Sequence, residues 1–91
     1  MSFEKEIKSK VESAKFIFGD GDGNIEVDYT IDGEEVYLEI FSKKILNISY
    51  SNIDSLVNLF GTHDIYITEV AQLSNLISPY TYNYAFHIKC H

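Results

Sequence analysis

The feature that most constrains the fold is a pair of alternating segments on either side of Asp32-Gly33. Apolar and polar residues alternate over 24–31 and again over 34–41. Such alternation is typical of half-buried strands, because successive side chains point to opposite faces of a sheet. Asp-Gly is a strong signal for a two-residue type I′ turn. The sequence therefore predicts a β-hairpin in which Ile31 lies opposite Glu34.

This register would make one face of the hairpin apolar and the other acidic. On the inner face Val27 would lie opposite Leu38, and on the outer face Glu26 would lie opposite Glu39. A slip of one residue would bury the acids, so the division into faces is strongly specified. Like charges directly opposite each other destabilise a sheet. The outer face is therefore the most distinctive surface that the sequence predicts.

The remaining residues predict helices and further strands around this hairpin. Apolar residues at helical spacing indicate an N-terminal helix and a short second helix, the latter with Ser51 and Asp54 as a capping box and Gly61 after its end. The predicted elements are helices over 2–15, 52–60 and 69–77, strands over 24–31, 34–41, 45–50 and 81–90, and a β-like segment over 63–68, with a single helix over 64–77 as the alternative.

These elements predict an α+β fold in one domain spanning residues 1–91. We expect a mostly antiparallel sheet of about four strands, with an N-terminal helix and one or two further short helices packed on one face. A chain of 91 residues is long enough for one such domain and too short for two.

Charge is concentrated in the hairpin region. The chain has 14 acidic residues and 7 lysines, lacks arginine, and carries a net charge of −7. The segment 19–41 contains eight of the acids and no basic residue. This balance argues against nucleic-acid binding through a basic patch and favours a cationic partner.

Compartment is predicted from the absence of export signals. The start of the chain has no apolar segment of the kind found in signal peptides, and no apolar run approaches the length of about 18 residues that a membrane helix needs. The single cysteine, Cys90, excludes an intramolecular disulfide. We therefore expect a cytoplasmic protein.

A calcium site in the Gly–Asp loop is the first alternative. Asp20, Asp22 and Asn24 have the spacing of the first three EF-hand ligands. Ile25 and Ile31, however, occupy the positions where an EF-hand loop needs glycine and glutamate. A flexible turn is the favoured interpretation.

Two other clusters also lack the pattern of a working site. His87, Cys90 and His91 include possible zinc ligands, but on a strand His87 and Cys90 point to opposite faces. His63 and Asp64 are neighbours without an identifiable nucleophile. We expect no catalytic residues, no metal and no cofactor.

The leading hypothesis is a small non-enzymatic acidic protein that inhibits or neutralises a partner. The partner would be a nuclease or another nucleic-acid enzyme whose basic surface the hairpin covers, in the manner of phage-encoded DNA mimics, anti-CRISPR proteins or immunity proteins for nuclease toxins. This analogy rests on size and charge. The predicted contacts are Glu26, Asp28, Glu35, Tyr37 and Glu39, with Asp20, Asp22, Asp32 and Glu34 at the ends.

Two other functions fit the sequence. The chain could be a module that binds a small ligand or Ca²⁺. It could instead be a structural subunit or homo-oligomer in which the tyrosine-rich C-terminal strand forms a free sheet edge.

Overall fold

A computed structural model describes residues 3–19, 23–72 and 79–90 of the chain. It contains two helices and four strands, so the predicted α+β fold is confirmed. The elements are α1 (Phe3–Phe18), β1 (Ile25–Asp32), β2 (Glu35–Ser42), α2 (Tyr50–Phe60), β3 (Ile65–Gln72) and β4 (Tyr82–Lys89).

The four strands form one antiparallel sheet in the order β1-β2-β4-β3. Both helices contribute buried side chains to the core on one face of this sheet, which we call the inner face. Along the two central strands, β2 and β4, side chains that point to the inner face alternate with side chains that point to the opposite face of the sheet, which we call the outer face. The core consists of Ile7, Val11, Ala14, Ile25, Val36, Leu38, Ile40, Leu56, Phe60, Tyr84, Phe86 and Ile88.

The first helix follows its predicted apolar stripe. Ile7, Val11 and Ala14 are its buried residues, at the spacing of one helix face. The helix continues to Phe18, three residues beyond the predicted end at 15. Its exposed side carries the lysines and glutamates of the N-terminal segment.

The hairpin forms as predicted, but its register differs. Ile31 pairs with Val36 rather than Glu34, and the two turn residues are Gly33 and Glu34. Gly33 has a φ of 64°, and Glu34 does not have a positive φ. A glycine at the first central position with no second positive φ is the pattern of a type II′ turn, not of the predicted type I′ turn. The different turn moves every pairing by two residues, which preserves both faces.

The predicted opposition of Glu26 and Glu39 is therefore wrong. Glu26 pairs with Phe41, and Glu39 pairs with Asp28. Each pairing in β1 and β2 still joins residues of the same face, because side chains alternate with a period of two. The outer face remains acidic, and its directly opposed carboxylates are Asp28 with Glu39 and Asp32 with Glu35.

The second helix contains the predicted segment 52–60 but begins earlier. Ser49, not Ser51, is its N-cap: Ser49 Oγ accepts a hydrogen bond from the Asn52 amide (3.3 Å), and Asn52 Oδ1 accepts one from the Ser49 amide (2.9 Å). Gly61 follows the helix with a φ of 72°, and its amide donates to the Val57 carbonyl (2.8 Å). Reciprocal bonds of this kind form a capping box, here two residues earlier than predicted.

The predicted strand over 45–50 is wrong. Residues 45–49 have no regular structure, and the Leu46 amide donates to the Tyr84 hydroxyl (2.8 Å) instead of to a neighbouring strand. Leu46 and Ile48 still pack against the core. The alternating apolar residues of this segment thus pack against the core, although the segment does not form a strand.

The third strand replaces part of a predicted helix. The β-like segment 63–68 contributes to β3, but β3 continues to Gln72, so neither a helix over 69–77 nor one over 64–77 forms in residues 69–72. Residues 73–78 lie outside the described part of the chain. A bulge at Thr68 shifts the register of β3 against β4. β4 lies between β2 and β3, so the predicted free edge at the C-terminal strand is also wrong.

Candidate protein-binding face

The outer face of the sheet is organised in rows that run across the strands. The antiparallel registers place residues of β1, β2 and β4 in every row, and β3 adds a residue to all rows except the one that contains Lys89. We call the carboxylates of β1 and β2 on this face the acidic face, consisting of Glu26, Asp28, Asp32, Glu35 and Glu39.

The most acidic row crosses the middle of the sheet. It runs from Asp28 through Glu39 and Ala85 to Glu69. The Cβ atoms of directly opposed residues in an antiparallel pair lie about 5 Å apart. Asp28, Glu39 and Glu69 are all exposed to solvent. The row therefore presents three carboxylates, of which two are direct neighbours.

The adjacent row is aromatic. It contains Thr30, Tyr37, His87 and Tyr66. The rings of Tyr37 and His87 stack with their centroids 4.5 Å apart and an interplanar angle of 13°. Tyr37 is 38% exposed and Tyr66 51% exposed, so both rings are available to a partner. Tyrosine is enriched among the residues that dominate protein interfaces.

The basic groups near the acidic face have partners of their own. His87 Nε2 lies 2.9 Å from Glu35 Oε1, and Lys89 Nζ lies 5.9 Å from the centre of the Tyr66 ring. The row next to the hairpin turn contains Asp32, Glu35 and Lys89, so the Lys89 ammonium reduces the net negative charge at that end of the sheet. The densest negative charge consequently lies around Asp28.

The opposite end of the outer face is covered by Tyr80. Its ring lies 6.4 Å from that of Phe41, and its hydroxyl donates to Glu26 Oε2 (3.5 Å). Lys43 Nζ lies 5.9 Å from the Tyr80 ring centre. Asn83, next to Phe41 in the first row, is buried, and its Nδ2 has no hydrogen-bond partner among the described residues. These contacts give this end a structural role.

The structure brings most of the predicted contact residues together. Glu34 lies in the exposed turn between the strands, next to the face. Asp20 and Asp22 lie outside the described residues, so their predicted place at the end of the surface stays a prediction. The residues that share the outer face are Glu26, Asp28, Asp32, Glu35, Tyr37 and Glu39.

Two of the candidate ligands for Ca²⁺, Asp20 and Asp22, lie outside the described residues, and the other candidate sites do not converge. Among the described residues, no three His, Cys, Asp or Glu side chains are grouped as metal ligands would be. The backbone carbonyl of Asn24, just before β1, accepts from the amide of Lys43, just after β2 (3.0 Å). His63 and Asp64 line none of the four cavities described for these parts of the chain.

His87 and Cys90 are also separated. His87 lies on the outer face, whereas Cys90 packs against the core. Burial raises the pKa of the Cys90 thiol above its ordinary value of 9.0; the positive charge of Lys10 opposes this shift and the negative charge of Glu34 adds to it. A thiol with a raised pKa is a weak metal ligand and a weak nucleophile at neutral pH.

Sequence reasoning missed the neighbours that β4 and β3 add to the face. His87 and Tyr66 join Tyr37 through pairings between strands that are distant in the chain. Alternation in 81–90 correctly placed His87 and Lys89 on one face of a strand, but not beside the hairpin. Only the strand order identifies that neighbour.

Comparisons of the chain with protein-family models, with curated proteins and with solved structures found no match. Neither described helix has both the length and the apolar character required to cross a lipid bilayer.

Proposed function

We propose that this protein is a non-enzymatic inhibitor that binds a basic protein surface through its acidic face. The partner is a nucleic-acid enzyme, such as a nuclease, whose cationic groove the acidic face occupies in place of a polynucleotide. The observation that carries this proposal is the direct opposition of Asp28 and Glu39 on an outer face with exposed tyrosines.

The charge density of the acidic face supports this partner class. Its five carboxylates lie between the levels of Glu26 and Asp32, a length of about 20 Å at the usual rise of a strand. This is one charge per about 4 Å, close to the 3.4 Å spacing of charges along one DNA strand. A groove that binds a phosphate backbone therefore meets a similar linear charge.

The tyrosines beside the carboxylates supply contacts that charge alone does not. A lysine or arginine side chain that reaches Glu39 also passes Tyr37 in the next row. Cations bind the faces of aromatic rings with about 0.5–2 kcal/mol. The combination favours a protein surface rich in arginine and lysine over simple counterions.

The proposal is tested with two variants of equal charge. Asp28→Lys with Glu39→Lys reverses the centre of the acidic face. Glu6→Lys with Asp54→Lys changes the net charge by the same amount at exposed positions on the two helices. The wild-type protein, immobilised at low salt and exposed to a lysate of its native host, should retain a nucleic-acid enzyme that duplex DNA or high salt releases.

The purified enzyme then decides the mechanism. We expect wild-type protein and the helix variant to inhibit its activity, and D28K/E39K to lose both retention and inhibition. Equal inhibition by D28K/E39K would contradict the proposal, as would equal loss in both variants. Inhibition that added DNA does not relieve would exclude occupation of the polynucleotide groove.

A further inference from the structure

A groove runs along the free edge of β1, between this strand and α1. One cavity of about 790 Å³ is lined by Phe3, Tyr29 and Ile31, and a second of about 370 Å³ by Phe16, Val27 and Tyr29, together with charged residues of α1. Tyr29 and Asp28 line both cavities. We call this feature the β1 groove. In the described residues no strand pairs with this edge of β1.

The apolar ends of the β1 groove are exposed. Phe16 is 67% exposed and Phe3 37% exposed, although both belong to a helix whose opposite face is buried. Large exposed apolar side chains beside a cavity are typical of interaction surfaces. Lys8, Glu12 and Lys15 form the helical wall between these rings.

The backbone of β1 offers hydrogen bonds to this groove. The Lys43 amide donates to the Asn24 carbonyl, and this pair extends the β1–β2 register by one residue beyond each strand. Because hydrogen-bonded pairs alternate along an antiparallel ladder, the backbone groups of the even-numbered residues of β1 bond to β2. The amides and carbonyls of Val27, Tyr29 and Ile31 therefore point to the free edge. Their side chains point to the inner face, toward the groove.

One of these free amides has a local partner. The Tyr29 amide donates to Asp28 Oδ1 (2.8 Å), so the exposed Asp28 side chain folds over the edge. Carboxylates on edge strands discourage unwanted pairing. An added strand with a lysine or arginine beside Asp28 would draw the carboxylate away from the Tyr29 amide, because an ion pair replaces that hydrogen bond.

We infer that the β1 groove binds an extended peptide segment in which apolar and basic residues alternate, added as an antiparallel fifth strand on β1. Residues opposite Val27, Tyr29 and Ile31 would point into the groove and be apolar. Residues between them would lie beside Glu26 and Asp28 on the outer face and be basic. Addition of a strand to a sheet edge combines backbone hydrogen bonds with side-chain pockets in this way.

The charges of the strand disfavour a second copy as the occupant. Pairing β1 with β1 of another molecule would place Glu26, Asp28 and Asp32 of both copies side by side on the outer face. Like charges at cross-strand distance are destabilising. A basic segment has the complementary charge at the same positions.

This inference concerns a surface different from the one in the proposed function. The acidic face binds through side chains of β1 and β2, whereas the β1 groove also requires the free backbone edge and Phe16. The two share the carboxylates of β1 only. Each can therefore fail without the other.

The probe is a short synthetic peptide in which lysine and valine alternate. We expect it to bind the wild-type chain and to slow hydrogen exchange of the Val27, Tyr29 and Ile31 amides, leaving the Asp28 and Thr30 amides unchanged. N-methylation of the valines, whose amides would face β1, should abolish binding. N-methylation of the lysines, whose amides would face away, should preserve it.

Side-chain variants complete the test. Phe16→Ser should weaken binding of the probe about tenfold, as expected for one apolar contact. Tyr50→Ser, at a 91% exposed position on α2, is the matched control and should leave binding unchanged.

Four results would overturn the inference. They are no binding at millimolar peptide, equal binding of both N-methylated peptides, no protection of the three edge amides, and protection of these amides that rises with protein concentration in the absence of peptide. The second would show that the peptide binds the acidic face as a simple polycation, and the last would show that a second copy occupies the edge. Capture of an enzyme that survives Phe16→Ser but not D28K/E39K would support the proposed function alone.

Discussion

Glu39→Lys should stabilise the free protein, because it converts a repulsive cross-strand pair into an attractive one. Glu39 lies directly opposite Asp28 and diagonally across from Glu26, the neighbouring outer-face residue of β1. At about 5 Å in water the repulsion between two unit charges is about 0.8 kcal/mol, and screening at 0.15 M salt reduces it by about half. Reversal of one charge replaces this repulsion with an attraction of the same size, so the interaction energy changes by twice the repulsion. Exposed pairs of this kind contribute about 0.2–1 kcal/mol, so we expect a gain of about 0.5–1 kcal/mol in the free energy of unfolding.

Chemical denaturation at several salt concentrations measures this gain. It corresponds to an increase in Tm of about 2–8 °C for a domain of this size. In 1 M salt, where the Debye length is about 3 Å, the gain should fall below about 0.3 kcal/mol. Glu69→Lys is the matched control: Glu69 lies in the same row, but Ala85 separates it from Glu39, so its substitution should change stability by less than about 0.3 kcal/mol.

The reasoning is refuted if Glu39→Lys does not stabilise the protein, or if the gain does not depend on salt. A further check is Asp28→Asn, which removes the partner charge. In that background Glu39→Lys should give less than about half of its original gain. An unchanged gain would show that the Asp28 carboxylate, which accepts from the Tyr29 amide, does not act on Glu39.

Asn83→Leu removes a buried, unpartnered Nδ2 and should raise the free energy of unfolding by about 1 kcal/mol; a loss would indicate a missing partner for this amide. Gly33→Ala, at a φ of 64°, should destabilise the hairpin by about 1 kcal/mol in urea denaturation, and an unchanged midpoint would contradict the turn assignment. Ser49→Ala should cost about 1 kcal/mol by the same assay through loss of the α2 cap, whereas Ser51→Ala, two residues later, should not. Iodoacetamide should alkylate Cys90 more slowly in the folded than in the urea-unfolded chain at pH 8, and equal alkylation rates would contradict the raised pKa. Because the pKa of Cys90 is raised in the folded chain, this thiol stabilises the fold below pH 9, and its contribution to the free energy of unfolding is lost as the pH rises above 9.

Local patterns predicted the faces of the hairpin but not its pairing. Both Asp32-Gly33 and Gly33-Glu34 can form two-residue turns, and either choice leaves the same residues on each face. The chain uses the second, with Gly33 at the position that needs a positive φ. The acidic face was therefore predictable as a set of residues, whereas the opposition of Asp28 and Glu39 depended on a turn that the sequence leaves ambiguous.

Other errors have a common physical origin in long-range contacts. The alternation around Leu46 resembles a strand, but the Tyr84 hydroxyl accepts from its amide and none of the four described strands pairs with it. Val70 lies at helical spacing from later apolar residues, yet pairing with Tyr84 makes it part of β3. Neither partner can be identified from a local pattern.

The β1 groove was beyond prediction for a related reason. The helix containing Phe16 was expected to cover the core, and its exposed ring gains meaning only from the adjacent strand edge. The direction in which the amides of β1 point depends on the register with β2, which the turn determines. Sequence periodicity alone gives no information on either.

If the acidic face binds a basic enzyme surface, the affinity of the complex must depend steeply on salt concentration. The Kd of the purified partner should be measured from low to high salt for wild-type protein, D28K/E39K and the helix variant E6K/D54K. We predict a steep weakening with salt for wild type and the helix variant, and weak binding with a shallow slope for D28K/E39K. Equal affinities and slopes for wild type and D28K/E39K would contradict the claim.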